Sequence, residues 1–165
     1  MSASTPALAL LTQRGVAHSV HEFHHDPRAT DFGLEAAVEL GVDAGRIFKT
    51  LVWHVDDAPA VAICPVTSTV SPKKLAAALG ARRSQMAPVS VAERLSGSVV
   101  GAISPLGLRR TLPTVLDDSA LEHEGIYVSA GKRGLEVRIA PKDLIDLLSA
   151  RVTSITHETN RVDNS

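Results

Sequence analysis

The residue in this chain whose type and place most suggest chemistry is a lysine. In Ile47-Phe-Lys-Thr-Leu-Val-Trp-His-Val55 the residue types are those of a strand. Alternation puts Ile47, Leu51, Trp53 and Val55 on one side and Phe48, Thr50 and Val52 on the other, with Lys49 among the first group. A lysine on an apolar strand face either lifts its ammonium into water at a sheet edge or lines a pocket where an anion arrives. Desolvating an unpaired ammonium is costly, so the second reading requires an anionic partner, from the fold or from a ligand. Periodicity alone leaves both open.

The other reactive residue types give weaker signals. His18, His21, His24 and His25 with Asp26 form a cluster, but a strand would send His18 and His24 to one side and His21 and His25 to the other, so no single metal site is expected. Cys64 lies inside the apolar run Ala60 to Val66 and before Pro65. A reactive thiolate needs a polar, cationic setting, so Cys64 reads as a packed small hydrophobe. Basic residues come in doublets, Lys73-Lys74, Arg82-Arg83, Arg109-Arg110 and Lys132-Arg133. Gathered on one face they would track phosphates; singly, such pairs at helix starts and turns are ordinarily solvated. No nucleophile elbow, phosphate-binding loop or dinucleotide-binding turn is present.

The elements that must position these residues are well punctuated. Thr5-Pro6 opens a helix that Gly15 closes, Asp31 caps one running to about Gly41, Ser71-Pro72 opens one ending at Leu79-Gly80, and Ser90 with Glu93 reads as a capping box for a helix stopping at Gly97. A closing helix covers Asp143 to Ser149. Strands are expected at Val16 to Phe23, through Lys49, at Ala60 to Val66, Val99 to Ile103, Pro113 to Leu116, Ile126 to Ser129, Leu135 to Ile139 and Arg151 to Thr156. Ala130-Gly-Lys-Arg-Gly134 is the turn of a hairpin. The pattern predicts an α+β fold, a single domain over 5–156 whose mixed sheet curls toward a barrel, with a polar tail at 157–165.

Composition agrees. The chain has 165 residues, 44% of them hydrophobic, enough for one core, and its 17 basic and 18 acidic residues exclude binding to polyanions by net charge alone. Apolar runs fall well short of the roughly 18 residues a membrane span needs, and no signal peptide is visible. One cysteine permits no internal disulfide, which fits a cytoplasmic setting.

Five motifs together carry a resemblance: His24-His-Asp-Pro-Arg28, Asp31-Phe-Gly-Leu-Glu-Ala-Ala37, Ile47-Phe-Lys-Thr-Leu51, Gly101-Ala-Ile-Ser-Pro105-Leu-Gly107 and Tyr127-Val-Ser-Ala-Gly-Lys-Arg-Gly-Leu135. In type and order they resemble the YbaK family of aminoacyl-tRNA deacylases, within the superfamily of editing domains related to the prolyl-tRNA synthetase insertion, and most the Cys-tRNA(Pro) deacylase branch. The resemblance runs from about Thr5 to Arg151. It implies a trans-editing hydrolase or lyase acting on the ester of cysteine mischarged onto tRNA(Pro), without cofactor or metal. Its partners would be tRNA, with prolyl-tRNA synthetase as a further candidate, and it would be a monomer or weak homodimer.

The resemblance also implies roles for residues. Lys49 would meet the anionic 3′ end of the tRNA. Phe32, Thr50, Gly101, Ile103, Ser104 and Pro105 would form the aminoacyl pocket, with Ser129, Ala130 and Gly131 as the opposing wall and Phe23 beside them. The attacking group would be the thiol of the substrate. Two departures bear on selectivity: Phe23 stands where the family often has tyrosine, and Ala130 replaces a common glycine, which is expected to narrow the pocket by a methyl group. Two other readings are compatible with the sequence. One is a deacylase of Ala-tRNA(Pro) or another small aminoacyl-tRNA that uses water; the other is a non-catalytic module that binds tRNA or a synthetase.

Overall fold

The computed structural model describes residues 4–157. The helices are α1 (Pro6–Gln13), α2 (Phe32–Leu40), α3 (Pro72–Ala78), α4 (Val89–Ser96) and α5 (Pro141–Leu148). The strands are β1 (His18–Glu22), β2 (Phe48–Val55), β3 (Ala58–Pro65), β4 (Ser84–Met86), β5 (Thr114–Asp117), β6 (Ile126–Lys132), β7 (Leu135–Ile139) and β8 (Arg151–Thr153). The polar tail expected at 157–165 lies, from residue 158 onward, outside the described residues.

Three of the helix starts are where the sequence puts them. Thr5, Asp31 and Ser71 each accept a hydrogen bond from the backbone N–H three residues on, satisfying a donor that has no partner within the helix. The capping box at Ser90 is not formed. Helix α4 begins two residues earlier, with Pro88 rather than Ser90 at the N-cap and no side-chain cap, and the Glu93 carboxylate instead accepts from the Val100 N–H at 2.9 Å. Nor is Val99 to Ile103 a strand: this segment is a turn in which Gly101 has φ +85°, outside any strand conformation.

The strands form two sheets rather than one curled barrel. β1, β7 and β6 make an antiparallel sheet in the order β1-β7-β6, and the second runs β4-β2-β3-β5-β8, with β3-β5 and β5-β8 parallel. A single bridge, Ile47 to Tyr127, joins them among the described residues. The α+β single-domain expectation stands and its barrel closure does not. The two sheets instead enclose a shared core in which Phe48, Val61, Ile63 and Leu116 meet Ile126, Val128, Val137 and Ile139, sealed by Leu11 of α1 and Leu144 of α5. The other face of the larger sheet carries Trp53, Val55, Ala60, Ala62, Cys64 and Val115 against Leu75 of α3. β2 and β3 are therefore covered on both sides, which is why their sequences are apolar throughout. Their tight turn places Asp56 and Asp57 at φ +45° and +68°, the left-handed pair that a two-residue hairpin demands.

Candidate active site

A cavity of about 390 Å³ opens where the first half of β2 passes the three-stranded sheet β1-β7-β6. Its floor is Phe48 to Val52, with Ser129 and Glu136, a directly paired couple on β6 and β7. One wall is the start of α2, Thr30 to Gly33; another is Met86, Ala87, Val89 and Ala92; the third is Val100, Gly101 and Ile103.

Close approach builds these walls. A Cβ on Gly33 would lie 2.3 Å from Val66 Cγ1, so only glycine lets the first turn of α2 sit against the end of β3 and swing Phe32 over the cavity. A Cβ on Gly101 would lie 2.6 Å from the Phe32 ring, so the turn and the ring are in mutual contact. Side chains tether the segment that holds Gly101. Ser129 Oγ donates to the Ala102 carbonyl at 2.9 Å, Glu93 accepts from the Val100 N–H, and Arg133 donates to the Val100 carbonyl.

Polar atoms inside this largely apolar enclosure are short of partners. Thr50 Oγ1 and Glu136 Oε2 are buried with no hydrogen-bond partner among the described residues. Glu136 is only 8% exposed, and burial pushes its carboxyl from 4.5 up to about 8. Lys49 lines the same cavity, half-buried, and makes no hydrogen bond or ion pair within 4.0 Å among the described residues. An ammonium and a carboxyl share a cavity without neutralising each other, an arrangement suited to a ligand that carries both signs of charge.

Cys64, directly opposite Lys49 on β3, is fully buried. Burial pushes its thiol up to about 11 despite the nearby lysine, which leaves it inert. The histidines are engaged separately: His25 Nδ1 with Glu35 Oε1 at 2.6 Å, His21 Nε2 with Ser19 Oγ at 2.8 Å, and His18 Nδ1 donating to the Val16 carbonyl at 2.7 Å. No three His, Cys, Asp or Glu side chains converge among the described residues.

Of the residues singled out from sequence, Lys49, Phe32, Thr50, Gly101, Ile103 and Ser129 are brought together around the cavity. Ser104, Pro105, Ala130, Gly131 and Phe23 do not border it. Ser104 Oγ accepts from the Leu106 N–H and holds the turn that also contains Pro105. Ala130 is buried in the shared core, so its methyl group does not narrow the cavity as expected. Gly131 faces Thr5, and Phe23 packs beside Ala36, Ile47 and Tyr127.

Glu136 escaped sequence reading because Leu135-Glu-Val-Arg-Ile139 alternates like a strand with one wet face. The basic doublets are scattered. Lys74 Nζ donates to the Thr156 carbonyl at 2.8 Å, and the backbone N–H groups of Arg82 and Arg83 cap Asp56 at the far end of β2, about 20 Å along the strand from Lys49.

Comparison with known proteins bears on this geometry. A family model described as an aminoacyl-tRNA editing domain matches residues 27–147. A protein of Enterococcus faecalis, provisionally named Cys-tRNA(Pro)/Cys-tRNA(Cys) deacylase EbsC, is 34% identical over 154 residues, covering 92% of this chain and 93% of its own length. The proline–tRNA ligase of Shouchella clausii is 32% identical over 126 residues, 76% of this chain but 22% of the ligase. A crystal structure provisionally described as a trans-editing enzyme for prolyl tRNA synthetase superposes with a TM-score of 0.82 at 25% identity, over 95% of this chain and all of that one. No helix among the described residues is long and apolar enough to cross a membrane.

Proposed function

This chain belongs to the aminoacyl-tRNA editing domain family, and from that premise we propose that it is a trans-editing deacylase that releases cysteine from mischarged Cys-tRNA(Pro). The observation that carries the reading is the cavity that holds Lys49 and Glu136 without pairing them. An aminoacyl ester at a tRNA 3′ end brings an ammonium and a phosphate to one small volume. Glu136 would take the ammonium, which supplies the cation its buried carboxyl lacks. Lys49 would face the terminal phosphate. Thr50 Oγ1, buried and unpartnered, is free to bond the ester or the ribose. Proline and cysteine are close in size, and a pocket separates near-isosteres by only about 1 to 3 kcal/mol, so a second, hydrolytic sieve has a physical rationale.

The nucleophile in this reading is the substrate's own thiol, whose ordinary pKa of about 8.5 is lowered by a nearby cation such as Lys49. The thiol proton leaves to solvent, sulfur bonds to the ester carbonyl carbon, the carbon–oxygen bond to the ribose breaks, and the ribose oxygen takes a proton. Water then opens the resulting thiolactone to free cysteine. The protein contributes position, and holding thiol and carbonyl in attack geometry is worth several kcal/mol, on the order of 7 to 11 at best. Weak contacts to tRNA would gain selectivity for tRNA(Pro) by docking with prolyl-tRNA synthetase.

A second reading has its own support. A carboxyl held near 8 can serve as a general base at neutral to mildly alkaline pH, so Glu136 could activate water on the ester of alanine or another small residue that carries no thiol. Hydrolysis of Cys-, Ala- and Pro-tRNA(Pro) by wild type and Lys49→Ala separates the two. Loss of cysteine alone, abolished in the variant, supports thiol attack. Equal loss of alanine moves the mechanism to water. No hydrolysis of any ester leaves the non-catalytic tRNA-binding module as the better account.

A further inference from the structure

The doublet Lys132-Arg133 sits at the tip of the β6-β7 hairpin, where a basic pair would ordinarily be read as a phosphate contact. The Arg133 side chain is already engaged. Its Nε and Nη2 both donate to the Val100 carbonyl, at 3.0 and 2.8 Å, and its guanidinium lies 4.8 Å from the centroid of the Phe32 ring. Three parts of the molecule remote in sequence meet at this one group: the hairpin, the Gly97 to Gly101 segment and the first residue of α2. Each carries cavity-lining residues, Glu136 and Ser129 on the first, Val100 and Gly101 on the second and Phe32 on the third.

The contacts around Phe32 leave it little freedom while Arg133 is in place. The Gly101 backbone is against one part of the ring, the His25 ring is 5.6 Å away between centroids, and His25 is itself held by Glu35. Only the guanidinium has the flat, forked shape that can bond a carbonyl through two N–H groups while covering an aromatic face; an ammonium of the same charge cannot do both.

We propose that Arg133 is a positioning residue that locks Phe32 against the Val100-Gly101 turn and thereby sets the width of the aminoacyl cavity. Its consequence for catalysis rests on the deacylase reading above. Releasing Arg133 frees the Val100 carbonyl and one face of Phe32, the wall loosens, and the reacting groups lose their alignment. A loosened wall also rejects the wrong aminoacyl group less well.

The test compares Arg133→Lys, which keeps the charge, with Arg133→Gln, which does not. Both variants should lose about tenfold in kcat on Cys-tRNA(Pro), the equivalent of one charge-assisted hydrogen bond, with KM and its salt dependence unchanged and the melting temperature lowered by only a few degrees, so that both remain folded at the assay temperature. The ratio of cysteine to proline release should fall in both. If Arg133 instead contacts phosphate, Arg133→Lys will behave as wild type while Arg133→Gln raises KM and lowers the salt slope by about one, which overturns the proposal. Wild-type kinetics in both variants overturn it as well. A readout independent of substrate separates this failure from a failure of the deacylase reading. With three phenylalanines in the chain, the Phe32 ring signals can be followed by NMR in the unliganded protein. Shifted or exchange-broadened Phe32 signals in both variants support the brace even if no ester is cleaved; unchanged signals overturn it.

Discussion

Replacing Glu136 by glutamine should remove a pH dependence of stability whose sign and size follow from burial of the carboxyl. The group is 8% exposed, one oxygen has no partner, and desolvation alone raises its pKa from 4.5 to about 8. Below about pH 4.5 it is protonated in the folded and unfolded chain alike and makes no difference. From there to about pH 8 the unfolded chain has released the proton and the folded chain still holds it, so stability falls as pH rises. Above about pH 8 both forms are ionised and the loss stays constant. At about 1.4 kcal/mol per pH unit the full loss is of order 5 kcal/mol, and about 3 kcal/mol has accrued by pH 7. Glutamine does not titrate. Urea unfolding of wild type and Glu136→Gln at about pH 5, 6, 7 and 8 cancels the groups common to both proteins. The variant should gain on wild type steadily, reaching several kcal/mol at the alkaline end with m unchanged. A difference that is constant across the range would refute the reasoning, because it would mean the carboxyl titrates normally and the cavity floor is wet.

Three further outcomes follow from the same geometry. Lys49→Ala should leave the urea midpoint close to that of wild type, since no ion pair is lost among the described residues; breaking a buried pair would have cost about 3 to 5 kcal/mol, and deacylation should nonetheless be abolished. Gly101→Ala forces a side chain into φ +85° and its Cβ onto the Phe32 ring, so it should destabilise by about 2 kcal/mol or more and depress activity, read by unfolding and by turnover. Cys64, with its thiol pushed up to about 11 and no exposed surface, should react with a thiol reagent only at the rate of unfolding, so labelling at neutral pH should accelerate in urea in step with loss of structure.

Much of the local structure could be read directly because it rests on local chemistry. The caps at Thr5, Asp31 and Ser71 and the left-handed glycines at Gly41 and Gly97 are decided within a few residues of themselves. Where a distant partner competes, local signals fail. Glu93 leaves the capping box because the Val100 N–H offers a better-placed donor, and Ser84 to Met86 carries no periodic pattern because β4 exists only by pairing with Trp53 to Val55. The stretch from Val99 to Ile103 has strand composition, yet Gly101 turns it against Phe32.

The sequence by itself determined the α+β class, the apolar character of both sides of β2, and a lysine among those residues whose setting periodicity left open. Five separated motifs, each legible as a string of residue types, were enough to mark the family. The tertiary structure alone decided that the strands divide into two sheets, that the cavity lies where they meet, and that Arg133 turns inward to a carbonyl rather than outward to solvent. It alone showed that Glu136, on a strand that alternates as if one face were wet, is buried, with one carboxyl oxygen unpartnered, in the cavity that Lys49 also lines. The reason is physical: alternation along a strand records which side a residue faces, but whether that side meets water depends on what another part of the chain lays over it.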